Sequence, residues 1–377
     1  VKALSAMLGI QINKETTLII FDEIQSCEKA LTSLKYFNEN ANEYHIMAAG
    51  SLLGLAVNRG NYSFPVGKVD NITMYPLSFE EFLMATNNEA LIQIIKESYA
   101  SFSPCSLHDK ALELYRTYLV VGGYPAAIRE YLSSGDFNAV RSVQSTISNA
   151  YISDMAKYTT PNDMMKSIEV YDTIYAQLAK ENSKFQYAII NAKARANAYE
   201  NAIAWLKVAH VVLKNQRISE GNYPVNIYED LNSFKIYYSD VGLLTSRMSL
   251  NANSIIQNIN ISDKARGMLA ESYVAEELMN LGFSLHYWTS GNSAEVDFVI
   301  QQEMSSIPLE VKSSNNVKSR SLQIYMKTYS PKYAIRVSAK NFGFVNGIKS
   351  VPLYAVFCIN KDSLDRQIDK GERNNKE

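Results

Sequence analysis

The sequence predicts a multidomain α/β protein, and three observations carry that expectation. Near the N-terminus, Thr17-Leu-Ile-Ile-Phe-Asp22-Glu23-Ile-Gln25 is a continuous apolar run ending in two acids, the pattern of a parallel-sheet strand buried on both faces. Near the C-terminus, Glu295-Val-Asp297-Phe-Val-Ile and Pro308-Leu-Glu310-Val-Lys312 alternate charged and apolar residues, the period of a strand with one buried face. Between them lie long segments of helical periodicity. With 377 residues, 47% of them hydrophobic, the chain has material for about two or three domains with real cores.

The balance of charge and of special residues narrows the function. A net charge of −1 exerts no global pull on nucleic acid or acidic membranes, so any nucleic-acid surface must be local. Three cysteines, Cys27, Cys105 and Cys358, stand far apart, which suggests a reducing compartment and no zinc knuckle. The four histidines show no metal-ligand spacing. No apolar stretch is long enough for a bilayer and no signal-peptide pattern opens the chain, so the expectation is a cytoplasmic protein with no membrane partner.

In chain order, the first strand has the form of a Walker B strand. Acids at the C-terminal end of such a strand sit where α/β sheets place ligands. Asp22 would hold the water shell of Mg²⁺ beside the phosphates and Glu23 would orient or deprotonate the attacking water. A helix from Cys27 to Phe37 then leads to a second strand, Tyr44-His-Ile-Met-Ala-Ala-Gly50-Ser51, which makes a βαβ unit. Ser51 would stand where a sensor residue feels the γ-phosphate. A plain strand running into a helix, and a simple Gly-Ser strand exit, explain the same residues without nucleotide. The 17 residues before Leu18 contain no G-x-x-x-x-G-K-[ST], and Gly60 to Lys68 has the wrong spacing, so this chain as given is not expected to bind ATP in the P-loop manner.

The order of motifs continues through Phe64-Pro-Val-Gly67-Lys68, Tyr75-Pro-Leu-Ser-Phe-Glu-Glu-Phe82 and Tyr118-Leu-Val-Val-Gly-Gly-Tyr-Pro125. Taken together over residues 16 to 357, the chain resembles the prokaryotic AAA-superfamily ATPases that carry a C-terminal domain with a restriction-endonuclease-like core. The resemblance implies that Asp22 and Glu23 are the Walker B pair, that Ser51 is sensor-like, and that ATP and Mg²⁺ are the cofactors once a P-loop is supplied. It places Lys68 where many relatives carry an arginine finger for a neighbouring subunit's nucleotide, although lysine lacks the planar fork. It also brings the expectation of a homo-oligomer.

The fold class that follows is α/β with a partial P-loop (AAA-type) parallel sheet over residues 1–90 and a helical lid over 91–160. A winged-helix-like domain follows over 161–250, then a restriction-endonuclease-like α/β domain over 262–360 and a charged tail over 361–377. Leu91 to Leu132 is helical, broken sharply at Gly122-Gly123-Tyr124-Pro125. Helices at Met165 to Ala179, Phe185 to Ala194 and Asn197 to Val208 precede Val211 to Asn215 and Phe234 to Tyr238, which would form the wing. Lys184, Lys193, Arg195 and Lys207 offer local charge for DNA phosphates. A spacer or a protein-binding platform fits that segment equally.

The C-terminal segment carries the chemistry. If the turn from Gln301 to Ser306 is centred near Glu303 and Met304, Asp297 faces Glu310, and two facing carboxylates repel unless something compensates them. Lys312, two positions after Glu310, projects on the same face. Asp…Glu-x-Lys on a hairpin describes a hard-metal site with a built-in cation, suited to hold Mg²⁺ and attack a phosphodiester. A helix from Arg266 to Leu281 has an apolar stripe of Met268, Ala275 and Leu278. Glu271 falls inside that stripe, whereas Glu276 and Glu277 are read as pointing away from it. Glu271 is either a third metal ligand or a buried glutamate held by backbone or by a basic side chain. The helix Arg320 to Thr328 and the strand Tyr333 to Val337 complete the domain, with Lys318, Arg320 and Gln323 near its active face.

Two functions fit these residues. One is an ATPase-type protein whose C-terminal domain is a Mg²⁺-dependent nuclease acting on DNA, with Asp297, Glu310 and Glu271 on the metal and Lys312 and Glu23 as catalytic residues. The other is a regulatory or binding module in which the nuclease-like fold is a non-catalytic platform.

Overall fold

A computed structural model describes residues 1–50, 67–180, 184–291, 294–314 and 320–360. Ser51, Lys318 and the tail from Lys361 to Glu377 lie outside the described residues. The chain divides into two compact units, one of Val1–Met74 with Ala204–His210, the other of Tyr75–Ile203 with Val211–Glu377.

In the first unit, α1 (Lys2–Leu8) ends at Gly9, whose φ of 65° closes the helix in the left-handed region that glycine tolerates. Strand β1 (Leu18–Phe21), helix α2 (Glu28–Asn40) and strand β2 (His45–Ala48) form the expected βαβ unit, with β1 and β2 parallel from Leu18↔His45 to Phe21↔Ala48. Leu31 and Leu34 of α2 pack with Ile24 against Phe21, Ile46 and Ala48. The expectation that β1 is buried on both faces is overturned: Leu18 is 50%, Ile20 59% and Met47 56% exposed. The physical reason is that, among the described residues, the sheet has two strands and α2 covers one of its faces, so the alternate side chains are left uncovered by the described residues.

The second unit opens with a run of helices. They are α3 (Phe79–Ala85), α4 (Glu89–Ser101), α5 (His108–Val121), α6 (Pro125–Ser134), α7 (Phe137–Tyr158), α8 (Pro161–Leu178), α9 (Tyr187–Ile190) and α10 (Ala196–Val208), whose last residues belong to the first unit. Ser78 and Glu81 form a reciprocal capping box at the start of α3. Strands β3 (Val212–Ile218) and β4 (Glu229–Tyr238) follow, then α11 (Val241–Arg247), α12 (Ala252–Ile256) and α13 (Asp263–Asn280). The C-terminal elements are β5 (His286–Thr289), β6 (Glu295–Val296), β7 (Phe298–Gln302), β8 (Ser305–Val311), α14 (Arg320–Tyr329), β9 (Ala334–Ser338), β10 (Gly343–Val345) and β11 (Ile348–Pro352).

These strands form two sheets, ordered β4-β3-β5-β6 and β10-β11-β9-β8-β7. The hairpin expected to be the wing of a separate module is therefore continuous with the C-terminal strands. Gln216 pairs in parallel with His286 and Ile218 with Trp288, so β3 is a shared strand. The β7–β8 hairpin has the register expected, Phe298↔Leu309 to Gln302↔Ser305, with Glu303 in the left-handed region at the turn (φ 48°). It is not a half-exposed hairpin, however. Strand β8 lies between β7 and β9 with α13 and α14 packed against it, and is buried on both faces. Among the described residues no helix is long and apolar enough to cross a membrane.

Helix α13 departs from the single-stripe reading. Glu276 and Glu277, expected to point away from the core, are both fully buried. The helix packs against α11, β3, β4, β8 and the 3₁₀ turn Leu353–Cys358, so more than one face is covered, and a stripe argument assumes one. The two acids replace missing helix partners in trans. Glu277 Oε1 accepts from Phe79 N (2.7 Å), the first residue of α3, and Glu276 accepts from Val241 N (2.9 Å), the first of α11, and from the Tyr118 hydroxyl (2.9 Å). Asp240, the N-cap of α11, accepts from Leu243 N (2.8 Å) and Gly123 N (2.6 Å). The Gly122-Gly123 turn thus has a reason: it brings the backbone onto a buried carboxylate.

Burial raises the pKa of Asp240 to about 6 and that of Glu277 to about 8. Glu277 Oε2 has no partner, which fits a carboxyl kept neutral. A folded chain that keeps this proton, where the unfolded chain releases it near the ordinary glutamate value, is most stable below that value and loses stability as pH rises toward about 8. Glu277→Gln, neutral at every pH, should remove that slope. Its melting temperature relative to wild type should rise between about pH 5 and pH 8, and an equal difference at both ends would refute the assignment. Within the same helix, a methyl group added at Gly267 would meet only open space, and Gly267→Ala should stabilise by about 0.5–1 kcal/mol in chemical denaturation.

Candidate functional site

The candidate site forms where the chain passes from one sheet to the other. Strand β6 pairs with β5, β7 pairs with β8, and Asp297 is the residue between them. Extending the β7–β8 register by one position sets Asp297 opposite Glu310, as the sequence predicts. The Asp297 carboxylate accepts the backbone N–H of Val311 (2.7 Å), and Asn215 on β3 donates to the Asp297 carbonyl (3.2 Å). Both contacts hold the acid at the break in the strand.

Glu310 is 4% exposed on the central strand β8. One carboxylate oxygen meets the Lys312 ammonium at 2.6 Å, the i,i+2 neighbour on the same face. The other oxygen, Oε2, is buried and has no partner. An unpartnered buried carboxylate oxygen carries a full desolvation penalty, which a cation placed there would offset. Burial raises the pKa of Asp297 well above the usual carboxylate range, and the facing Glu310 and Glu271 raise it further, against Lys235 and Lys312. Burial pulls the Lys312 pKa down, but Glu310 and Asp297 push it up by more, and the amine stays charged.

Glu271 on α13 is brought to the same region but is not left free for a metal. Its Oε1 accepts from the Lys235 ammonium (2.9 Å) and the Tyr237 hydroxyl (2.6 Å), both from β4. Lys235 is fully buried, also meets Glu295 Oε1 at 2.6 Å, and lies 5.1 Å from the centre of the Tyr287 ring. Burial lowers the Lys235 pKa, yet Glu271, Tyr237, Glu295 and Asp297 outweigh it and the net direction is up. The three-carboxylate cage expected from the sequence does not form: among the described residues no group of three His, Cys, Asp or Glu is placed to hold a metal ion. The reason is the lysine, which takes Glu271 as its counter-ion. The donors that remain, Asp297 and Glu310, match the habit of Mg²⁺, which keeps several waters and binds through one or two carboxylates.

Sequence reasoning misses Lys235, Tyr237, Glu295 as a partner, and Arg336. Lys235 and Tyr237 share one face of β4 by strand alternation, a signal present in the sequence but hidden there by reading β4 as part of a separate module. Arg336 stands in register with Glu310 on the neighbouring parallel strand, and its Nε is buried without a partner.

The first unit holds the nucleotide candidates. Asp22 and Glu23 follow directly on β1, with Asp22 Oδ1 accepting from Glu23 N (3.0 Å) and the Glu23 carboxylate accepting from the Gln25 amide. Lys68 makes a half-exposed ion pair with Glu39 of α2 (3.4 Å). Of the basic residues that the sequence offers for DNA phosphates as an expectation, Lys193, Arg195 and Lys207 are exposed.

Three families match parts of the chain: an AAA domain over residues 2–83, a domain of unknown function (DUF8612) over 112–254, and a domain of unknown function (DUF4143) over 266–356. The first and last of these support an AAA-type ATPase, and with it nucleotide and Mg²⁺ use in general. Comparison with curated proteins and with solved structures finds no match.

Proposed function

We propose that the chain carries an AAA-type ATPase module without a P-loop motif of its own, so that ATP binds only where a P-loop is supplied, and that its C-terminal domain is a restriction-endonuclease-like, Mg²⁺-dependent phosphodiesterase acting on DNA. The observation that carries the reading is Glu310, whose buried Oε2 lacks a partner while Asp297 faces it and Lys312 is bound to its other oxygen. Asp297 and Glu310 would hold the ion, which supplies charge stabilisation at the phosphate and a water of lowered pKa. Lys312 fixes Glu310 and presents a positive charge where negative charge gathers on the phosphate. Glu271 acts one step back, as the anchor of Lys235. In the first unit Asp22 and Glu23 are assigned to the Mg²⁺ shell and the attacking water of ATP hydrolysis, Ser51 to sensing the γ-phosphate and Lys68 to the finger position for a neighbouring subunit's nucleotide, and self-association in the cytoplasm completes the reading.

A second reading treats the domain as a non-catalytic platform for DNA or protein. One observation favours it: the Lys235 ammonium is already ion-paired with two of the four acids. Nicking of supercoiled plasmid with Mg²⁺ or Mn²⁺ separates the two. The nuclease reading expects nicking that Asp297→Ala and Lys312→Ala each abolish. Activity surviving both substitutions would sink it.

A further inference from the structure

Lys235 is unusual in its placement. Its side chain is wholly buried, and buried ammonium groups are costly unless held by good partners. It has two, Glu271 at 2.9 Å from α13 and Glu295 at 2.6 Å from β6, and the phenol of Tyr237 donates to the same Glu271 oxygen. Two carboxylates from different elements converging on one buried point is how a protein holds an ion. Here the ion is the end of a side chain. Its stem enters from β4, where Asn215, the cross-strand partner of Lys235, anchors the backbone of Asp297.

We infer that Lys235 is a tethered cation that occupies the position between Glu271 and Glu295, limits the site to a single divalent ion held by Asp297 and Glu310, and positions that ion's pocket without touching it. This rests on the nuclease-like reading of Asp297 and Glu310. With all four acids ionised, Glu271, Glu295, Asp297 and Glu310 outnumber the cations Lys235, Lys312 and Arg336, so the ionised cluster demands further positive charge. That demand is localised at Glu310 Oε2, the carboxylate oxygen left without a partner. Glu271 and Glu295 are spoken for by a charge that cannot dissociate.

Calorimetric titration of the whole chain with Mn²⁺ tests the assignment. The wild type should bind one ion. Glu310→Gln should weaken that binding at least tenfold. Glu271→Gln, which keeps an acceptor for Lys235 and Tyr237, should leave the affinity within about twofold. Lys235→Met should admit a second ion, whereas Lys235→Arg should retain one. If Lys235→Met does not fold, the contrast between Glu310→Gln and Glu271→Gln decides alone. A tenfold loss in Glu271→Gln makes Glu271 a metal ligand and overturns the inference while leaving the nuclease reading intact. Absence of Mn²⁺ binding in the wild type overturns both.

Discussion

Asp297→Asn should abolish metal-dependent cleavage while leaving the chain as stable as wild type, or more so. The amide keeps an oxygen able to accept the Val311 N–H, so the break between β6 and β7 retains its tether. It removes a carboxylate whose ionised form is opposed by burial and by the nearby Glu310 and Glu271. Relief of that opposition favours the folded chain, so the substitution should raise stability rather than lower it. A ligand removed from a metal-dependent site should lower turnover by at least about a hundredfold. The two effects together identify a residue kept for chemistry at the expense of stability. Chemical denaturation beside the plasmid assay measures both. Loss of stability without loss of cleavage would make Asp297 a structural acid.

The largest expected loss of stability is at Gly123. A Cβ there would lie 2.2 Å from the carbonyl oxygen of Leu77, a backbone atom that cannot swing aside. The same glycine donates to Asp240 (2.6 Å) and accepts from Leu77 N (2.8 Å), so moving it breaks both contacts. Gly122, with φ 73°, has its own missing Cβ 2.5 Å from Asp240 Oδ1, and Gly242 approaches Gly122 from the other side. Gly123→Ala should therefore cost about 3 kcal/mol or more, through overpacking and a weakened contact to a buried carboxylate. Gly135→Ala is the control. Its φ is 65° but nothing lies within 4 Å, so only the backbone penalty of about 1–2 kcal/mol applies. Equal losses at the two positions would show that the turn at Gly122-Gly123 is not tightly packed.

The elements most legible in the sequence are those set by neighbours in the chain. Helix α2 and strands β1 and β2 follow from apolar runs and their spacing, and the β7–β8 register follows from the turn at Glu303 and from side-chain alternation. That alternation is enough to pair Asp297 with Glu310 and to put Lys312 beside Glu310. It does not say what else arrives there. Lys235 reaches Glu271 across 36 positions of sequence, and Phe79 reaches Glu277 across 198. Nothing in a window of a strand or a helix turn encodes those meetings.

What this sequence determined by itself is periodicity: which segments are helices or strands, and that two acids and a lysine share one face of a hairpin. Tertiary structure alone decided burial and partnership. It exposed one face of β1, buried Glu276 and Glu277, joined β3 to β5, and gave Glu271 to a lysine. The reason is that the cost of an uncompensated charge depends on everything packed around it, and that packing is assembled from residues far apart in the chain.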